Sequence, residues 1–178
     1  CALPISPDRW HLKSPPDLGC LDAIARVFPD ARFVWTHRDP AKVLASVCKL
    51  ISFIRRMQSD AVDDRELGRE QLAVWSEAMR RGLAFRRRVG EQRFADVFLR
   101  DTVERPVETI AAAYAKLGLP FTAEAERRMR EWAASHRQHQ HGALPYTLAE
   151  FGLHADEVRE AFRDYIEHFH VEIEPGAG

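Results

Sequence analysis

The 178-residue chain contains neither a G-x-x-x-x-G-K loop nor a G-x-G-x-x-G turn, so the two commonest glycine-based phosphate cradles are absent from it. Cysteine is scarce. Cys1, Cys20 and Cys48 are odd in number and widely spaced, which argues against a disulfide framework. Cys20 and Cys48 fall inside apolar helical patterns and read as reduced core thiols in a cytosolic setting. No apolar run approaches the ~18 residues of a membrane-crossing helix, and no secretory signal pattern begins the chain, so the expected location is cytoplasmic. Net charge is nearly absent too: 26 Lys and Arg stand against 27 Asp and Glu, a formal charge of −1. With no global field toward nucleic acid or membrane, any anion site must be local. There is no internal repeat and no low-complexity tract.

What is there is a globular composition, with 46% hydrophobic and 30% charged residues. That suits one soluble domain with a sizeable core. The chain does not begin with Met. Cys1-Ala-Leu-Pro-Ile-Ser6 shows no helical or strand period and matches one reading frame of a common sequencing-adapter oligonucleotide. Residues 1–8 are therefore set apart as a non-native or linker segment, and residues 9–178 as part of a single domain.

Arg9 to Lys13 reads as a strand stopped by Ser14-Pro15-Pro16. A helix opens at Asp17, with Leu18, Leu21, Ile24, Ala25, Val27 and Phe28 as its apolar face. Ala31 to Thr36 is a second, buried strand. Strand, helix and strand within ~28 residues predict a parallel βαβ unit. Pro40 to about Met57 is helical, and so is about Glu66 to Gly90, whose Arg86-Arg87-Arg88 end reads as solvated. Phe94 to Leu99 alternates as a third strand. Helices follow over Thr102 to Leu117, Ala123 to about His136 (with Met129 and Trp132 on the buried side) and Asp156 to Phe169. Three strands with about six helices predict an α/β fold with a small sheet, or one whose first part lies elsewhere.

The stretch with the most chemistry is Arg32 to Ser46. Asp39 is placed to cap a helix and Pro40 to occupy its first turn. Arg38 stands where a strand end meets that helix, and Ser46 lies about two turns further along. Carboxyl ends of strands beside helix N-termini are where α/β proteins bind anions. A helix cap with a solvated arginine is the plainer alternative. In a βαβ unit, Lys13 at the end of the first strand would share an edge with Arg38. Two cations and the Ser46 hydroxyl then suit a phosphate or sulfate. Asp17, four residues after Lys13, is either a base for a substrate hydroxyl or an N-cap. His37 faces the site or turns away from it. His136, His139 and His141 are spaced for a metal only if their segment is helical; Gly142 and Pro145 favour a loop. There, Arg137 and the histidines, His141 among them, can close over a phosphate.

Taken together, Trp10-His-Leu-Lys-Ser-Pro15, Phe28-Pro-Asp-Ala-Arg-Phe-Val34, His37-Arg-Asp-Pro40 with Ser46, Leu117-Gly-Leu-Pro120 and Tyr146 to Leu153 with Tyr165 and Phe169 resemble the bacterial sulfotransferases that use 3′-phosphoadenosine 5′-phosphosulfate (PAPS). The resemblance covers about residues 9–172. It implies a P-loop-NTPase-like α/β fold, a parallel sheet flanked by helices, and PAPS as donor, with no metal required. Arg38 and Ser46 match the pair that holds the 3′-phosphate, and Lys13 matches a lysine near the transferred group. The acceptor would be a small molecule, carbohydrate or lipid, not a nucleic acid.

Three departures stand out. The family's N-terminal strand and 5′-phosphosulfate loop are absent from this chain, which predicts poor PAPS binding and an inactive fragment. Asp17 stands where relatives carry a histidine base. Leu99, Arg100 and Asp101 replace a tyrosine followed by acidic residues. Two further readings compete: a P-loop kinase, and a non-catalytic helical binding module that kept the fold.

Overall fold

The computed structural model describes residues 2–6, 9–136 and 147–176. The sheet that organises the chain has two described strands, β3 (Phe33–His37) and β4 (Phe94–Phe98), paired in parallel with Phe33 opposite Phe94 and His37 opposite Phe98. The parallel partner of β3 is thus not the strand before it. Strand β2 (Arg9–Leu12) instead pairs antiparallel with β1 (Ala2–Ser6), a strand the sequence did not signal. The predicted βαβ unit of Arg9 to Thr36 is therefore corrected. The crossover between parallel strands carries two helices, α2 (Pro40–Arg56) and α3 (Asp64–Val89). Before them lie a 3-10 turn (Pro15–Cys20) and the short helix α1 (Leu21–Val27).

The alternation of β3 explains the layers. Trp35 and His37 are buried while Val34 and Thr36 are exposed, so the strand buries one face rather than two. On that face Phe33, Phe85 and Phe94 pack ring to ring, with centroids 5.1–6.1 Å apart. Burying each such ring contributes about 1.5–3 kcal/mol. On the other face of β4, Ala95 and Val97 pack against Ala113 of α5 (Pro106–Lys116) and Leu117 at its C-cap. Helices therefore flank the parallel sheet on both sides. Arg93 fixes the turn into β3 by donating to the carbonyls of Ala31 (2.7 and 3.0 Å) and Pro29 (2.9 Å).

Several elements differ from the periodicity. The helix expected over Thr102 to Leu117 is two, α4 (Leu99–Glu104) and α5, because Pro106 cannot donate to the preceding turn and displaces Arg105 from helical geometry. In α6 (Ala123–Ser135), capped by Thr122, no residue is buried and Trp132 is 62% exposed, where a buried side was expected. The last helix breaks at Phe162 into α7 (Ala155–Ala161) and α8 (Arg163–Phe169). Cys48 is buried as expected, but Cys20 is exposed. No helix among the described residues is long and apolar enough to cross a membrane.

Candidate functional site: the mouth of helix α2

The junction of β3 and α2 forms as its residues dictate. Asp39 caps α2, its Oδ1 accepting the Ala41 N–H at 2.9 Å, and Pro40 takes the first helical position. The other carboxylate oxygen of this fully buried side chain accepts from Arg159 Nη2 (2.9 Å) and from the Glu174 N–H (3.0 Å). One cap thereby ties three segments together: the α2 mouth, α7 and the C-terminal strap of residues 171–176.

Arg38 stands half-buried at this mouth. Its Nε and Nη2 donate to Glu174 Oε1 and Oε2 at 2.8 and 2.9 Å, a two-bond fork. Lys42 Nζ donates to the Gly176 carbonyl at 2.5 Å. Ser46 is half-buried one turn beyond Lys42, and residues four apart share a helix face. Lys42 and Ser46 therefore share a face of α2, and Arg38 stands just before its cap. Arg38, Lys42 and Arg159 place three cations here against the carboxylates of Asp39 and Glu174.

Beneath the mouth a polar chain runs from the buried His37 and Tyr165 to the partly exposed Asp96. His37 faces the core, 1% exposed, which settles the orientation its sequence position left open. Its Nε2 meets Asp96 Oδ1 at 2.8 Å and its Nδ1 meets Tyr165 Oη at 3.2 Å. The Tyr165 hydroxyl in turn accepts the Arg38 backbone N–H at 3.3 Å. Burial pushes the Tyr165 hydroxyl up to about 12, so it stays protonated at neutral pH. Asp96 also receives Arg86 in a fork of 2.6 and 2.7 Å. Burial alone would raise the Asp96 carboxyl, but the bonds from Arg86 and His37 outweigh it and hold the group far below the usual carboxylate range. Arg86 is 3% exposed, not the solvated helix end expected of an arginine run, and lies 4.7 Å and 4.8 Å from the ring centroids of Phe94 and Phe169.

The other sequence candidates fall elsewhere. Lys13 is exposed just after β2. Because β2 is not in the sheet of β3, the shared edge on which Lys13 met Arg38 is lost. Asp17 is half-buried in the first turn of the 3-10 segment, whose N-cap position is held by Ser14, so the capping role does not form. That segment is anchored on α3: a Cβ on Gly82 would come within 2.7 Å of Leu18 Cδ1 and 3.0 Å of Trp35 Cη2. His141, with Arg137 and His139, lies outside the described residues. Lys42, Arg159 and Glu174 were not singled out in the sequence. The four-residue spacing of Lys42 and Ser46 within one helix was the signal available for Lys42. Arg159 and Glu174 reach the site across 120 and 135 residues, which no local pattern encodes.

The chain is similar to solved structures of known proteins. A solved structure of the sulfotransferase STF9 from Mycobacterium avium is 33% identical with a TM-score of 0.85, and the match covers 94% of this chain and 43% of that one. The sulfotransferase STF1 from Mycobacterium tuberculosis H37Rv is 31% identical with a TM-score of 0.73, over 86% of this chain and 39% of that one. The sulfotransferase domain from the curacin biosynthetic pathway shares the fold at 12% identity and a TM-score of 0.54. No curated protein matches. The chain thus spans about two-fifths of the length of its mycobacterial relatives. Its parallel sheet flanked by helices is the P-loop-like α/β fold of these structures. A sequence model of the sulfotransferase family matches residues 3–123, more than half of the chain and including the whole β3–α2 junction; the chain belongs to the sulfotransferase family.

Proposed function

We propose that the protein containing this chain transfers a sulfuryl group from PAPS to a hydroxyl or amine of a small-molecule, carbohydrate or lipid acceptor. In this reading Arg38, Lys42 and Ser46 hold the 3′-phosphate, and the 178-residue chain does not turn over by itself. The observation that carries the reading is the grip of Arg38 on a carboxylate at the N-terminus of a 17-residue helix. An oxyanion held in fork geometry at a helix mouth is the arrangement a phosphate takes. Arg38 supplies the fork, Lys42 a mobile point charge, and Ser46 a neutral donor on the same face. A kinase using ATP has no 3′-phosphate to place there.

The residues present fit the donor's 3′ end, whereas the sequence holds no glycine-rich loop for its 5′ end. When bound, PAPS supplies an activated sulfuryl group. In this chain, Lys13 would stabilise charge developing on the transferred oxygens, and Asp17 would take the acceptor's proton. Both assignments come from the family resemblance.

Titration with adenosine 3′,5′-bisphosphate tests the reading. Replacing Arg38 by Ala removes a charge-assisted fork worth about 1.5–3 kcal/mol and should weaken binding roughly ten- to a hundredfold. Ser46→Ala should cost about 0.5–1.5 kcal/mol, the scale of one neutral hydrogen bond. Equal affinity of the Arg38→Ala chain and the parent would remove the reading.

A further inference from the structure

We infer that Glu174 and the C-terminal strap that carries it are a positioning element of the anion site, setting the guanidinium of Arg38 for the 3′-phosphate. The inference rests on the reading of Arg38 given above.

The geometry points to positioning. Glu174 binds the side-on edge of the guanidinium, Nε and Nη2, at 2.8 and 2.9 Å. A guanidinium has a second, end-on fork formed by Nη1 and Nη2, so a carboxylate on the side-on edge fixes the direction in which that fork points. Glu174 is itself held. Its N–H donates to the buried Asp39 carboxylate at 3.0 Å, and its carbonyl receives Arg159 Nη2 at 3.4 Å. Asp39 also caps α2, so the strap and the helix mouth share one anchor. Two residues further on, the Gly176 carbonyl takes Lys42 Nζ at 2.5 Å, so the strap touches both Arg38 and Lys42. An arginine side chain has many rotamers, and the fork to Glu174 favours those that keep Nε and Nη2 on the strap. Immobilising such a side chain at the moment of binding costs affinity, and a carboxylate that pre-orders it removes that cost.

The test compares affinities for adenosine 3′,5′-bisphosphate and adenosine 5′-monophosphate, whose ratio isolates the 3′-phosphate contact. In the Glu174→Ala and Glu174→Gln chains this ratio should fall by about three- to tenfold, the cost of ordering one long side chain, with 5′-monophosphate binding unchanged. The Gln variant keeps the shape and the backbone bond to Asp39 while breaking the fork, so it also separates positioning from folding. Loss of fold would lower binding of both nucleotides together. A ratio that stays at the parent value, or rises because Glu174 competes with phosphate, overturns the inference. A parent chain with no 3′-phosphate preference, unaltered by Arg38→Ala, overturns the reading beneath it as well.

Discussion

Arg86 and Asp96 show how a charged residue read as surface becomes part of the interior. Arg86 sits at the end of α3 among three arginines, yet it alone is buried, forked to Asp96 and bonded to Glu91 at 2.9 Å. Removing the buried Arg86 takes a charge-assisted fork from the partly exposed Asp96 carboxylate, so Arg86→Ala should destabilise the chain by about 1.5–3 kcal/mol in urea unfolding. Arg87→Ala, on the exposed side, should change it by less than about 0.5 kcal/mol. The same pair sets a pH dependence. The Asp96 carboxyl is lowered in the folded chain, so its contribution is fully present above the ordinary carboxylate pKa of about 4 and is lost as pH falls further below it. Unfolding free energies measured from pH 7 down to pH 2 should hold above about pH 4 and decline below it, and Asp96→Asn should flatten the decline. A parallel decline in both chains would exclude Asp96 as its source. Cys48, buried with its thiol pushed up to about 11, should stay inert to thiol reagents until the chain unfolds.

At the scale of elements, helix α3 is placed by two glycines whose substitution should differ in cost. A Cβ on Gly68 would stand 2.2 Å from the Phe151 carbonyl oxygen, a backbone atom that cannot swing aside. On Gly82 it would meet chiefly Leu18 Cδ1 at 2.7 Å, the end of a flexible side chain. Thermal unfolding should show Gly68→Ala costing about 2–3 kcal/mol and Gly82→Ala less, on the scale of overpacking a core. Equal costs would mean that the approach of α3 to the Ala149–Phe151 turn is not rigid. These contacts also show what was legible in the sequence. Helices α2, α3 and α6 and strands β3 and β4 lie where period, cap and proline predicted them, since those signals act within a few residues. The partner of β3 was misassigned. Pairing between strands is decided by packing across the sheet, and the nearest strand in sequence was not the one that packs. The breaks at Arg105 and Phe162 were missed because an apolar stripe continues across them. Arg38 and Ser46 were legible as a strand end and a helix face; Glu174 was not, because a strap of residues 171–176 has no period.

Across the whole molecule, charge is balanced and the function is local. A formal charge of −1 steers no anion, so the proposed anion site relies on local charge at the α2 mouth, where Arg38, Lys42 and Arg159 face Asp39 and Glu174. The chain spans 43% of the length of the Mycobacterium avium relative, its sequence holds neither glycine-based phosphate motif, and the proposed reading assigns it the 3′ end of the donor alone. It should therefore bind adenosine 3′,5′-bisphosphate weakly while showing no transfer with PAPS and a phenolic or alcoholic acceptor. Turnover by the isolated chain would contradict the assignment of only the 3′ end to these residues. The most direct measurement is an NMR titration with adenosine 3′,5′-bisphosphate, following backbone amides and the Arg38 Nε–H. The largest shifts should fall on residues 37–46 and 172–176 and vanish in Arg38→Ala. Shifts centred instead on the cleft between Asp101 and Lys116, or none at saturating nucleotide, would contradict the 3′-phosphate assignment.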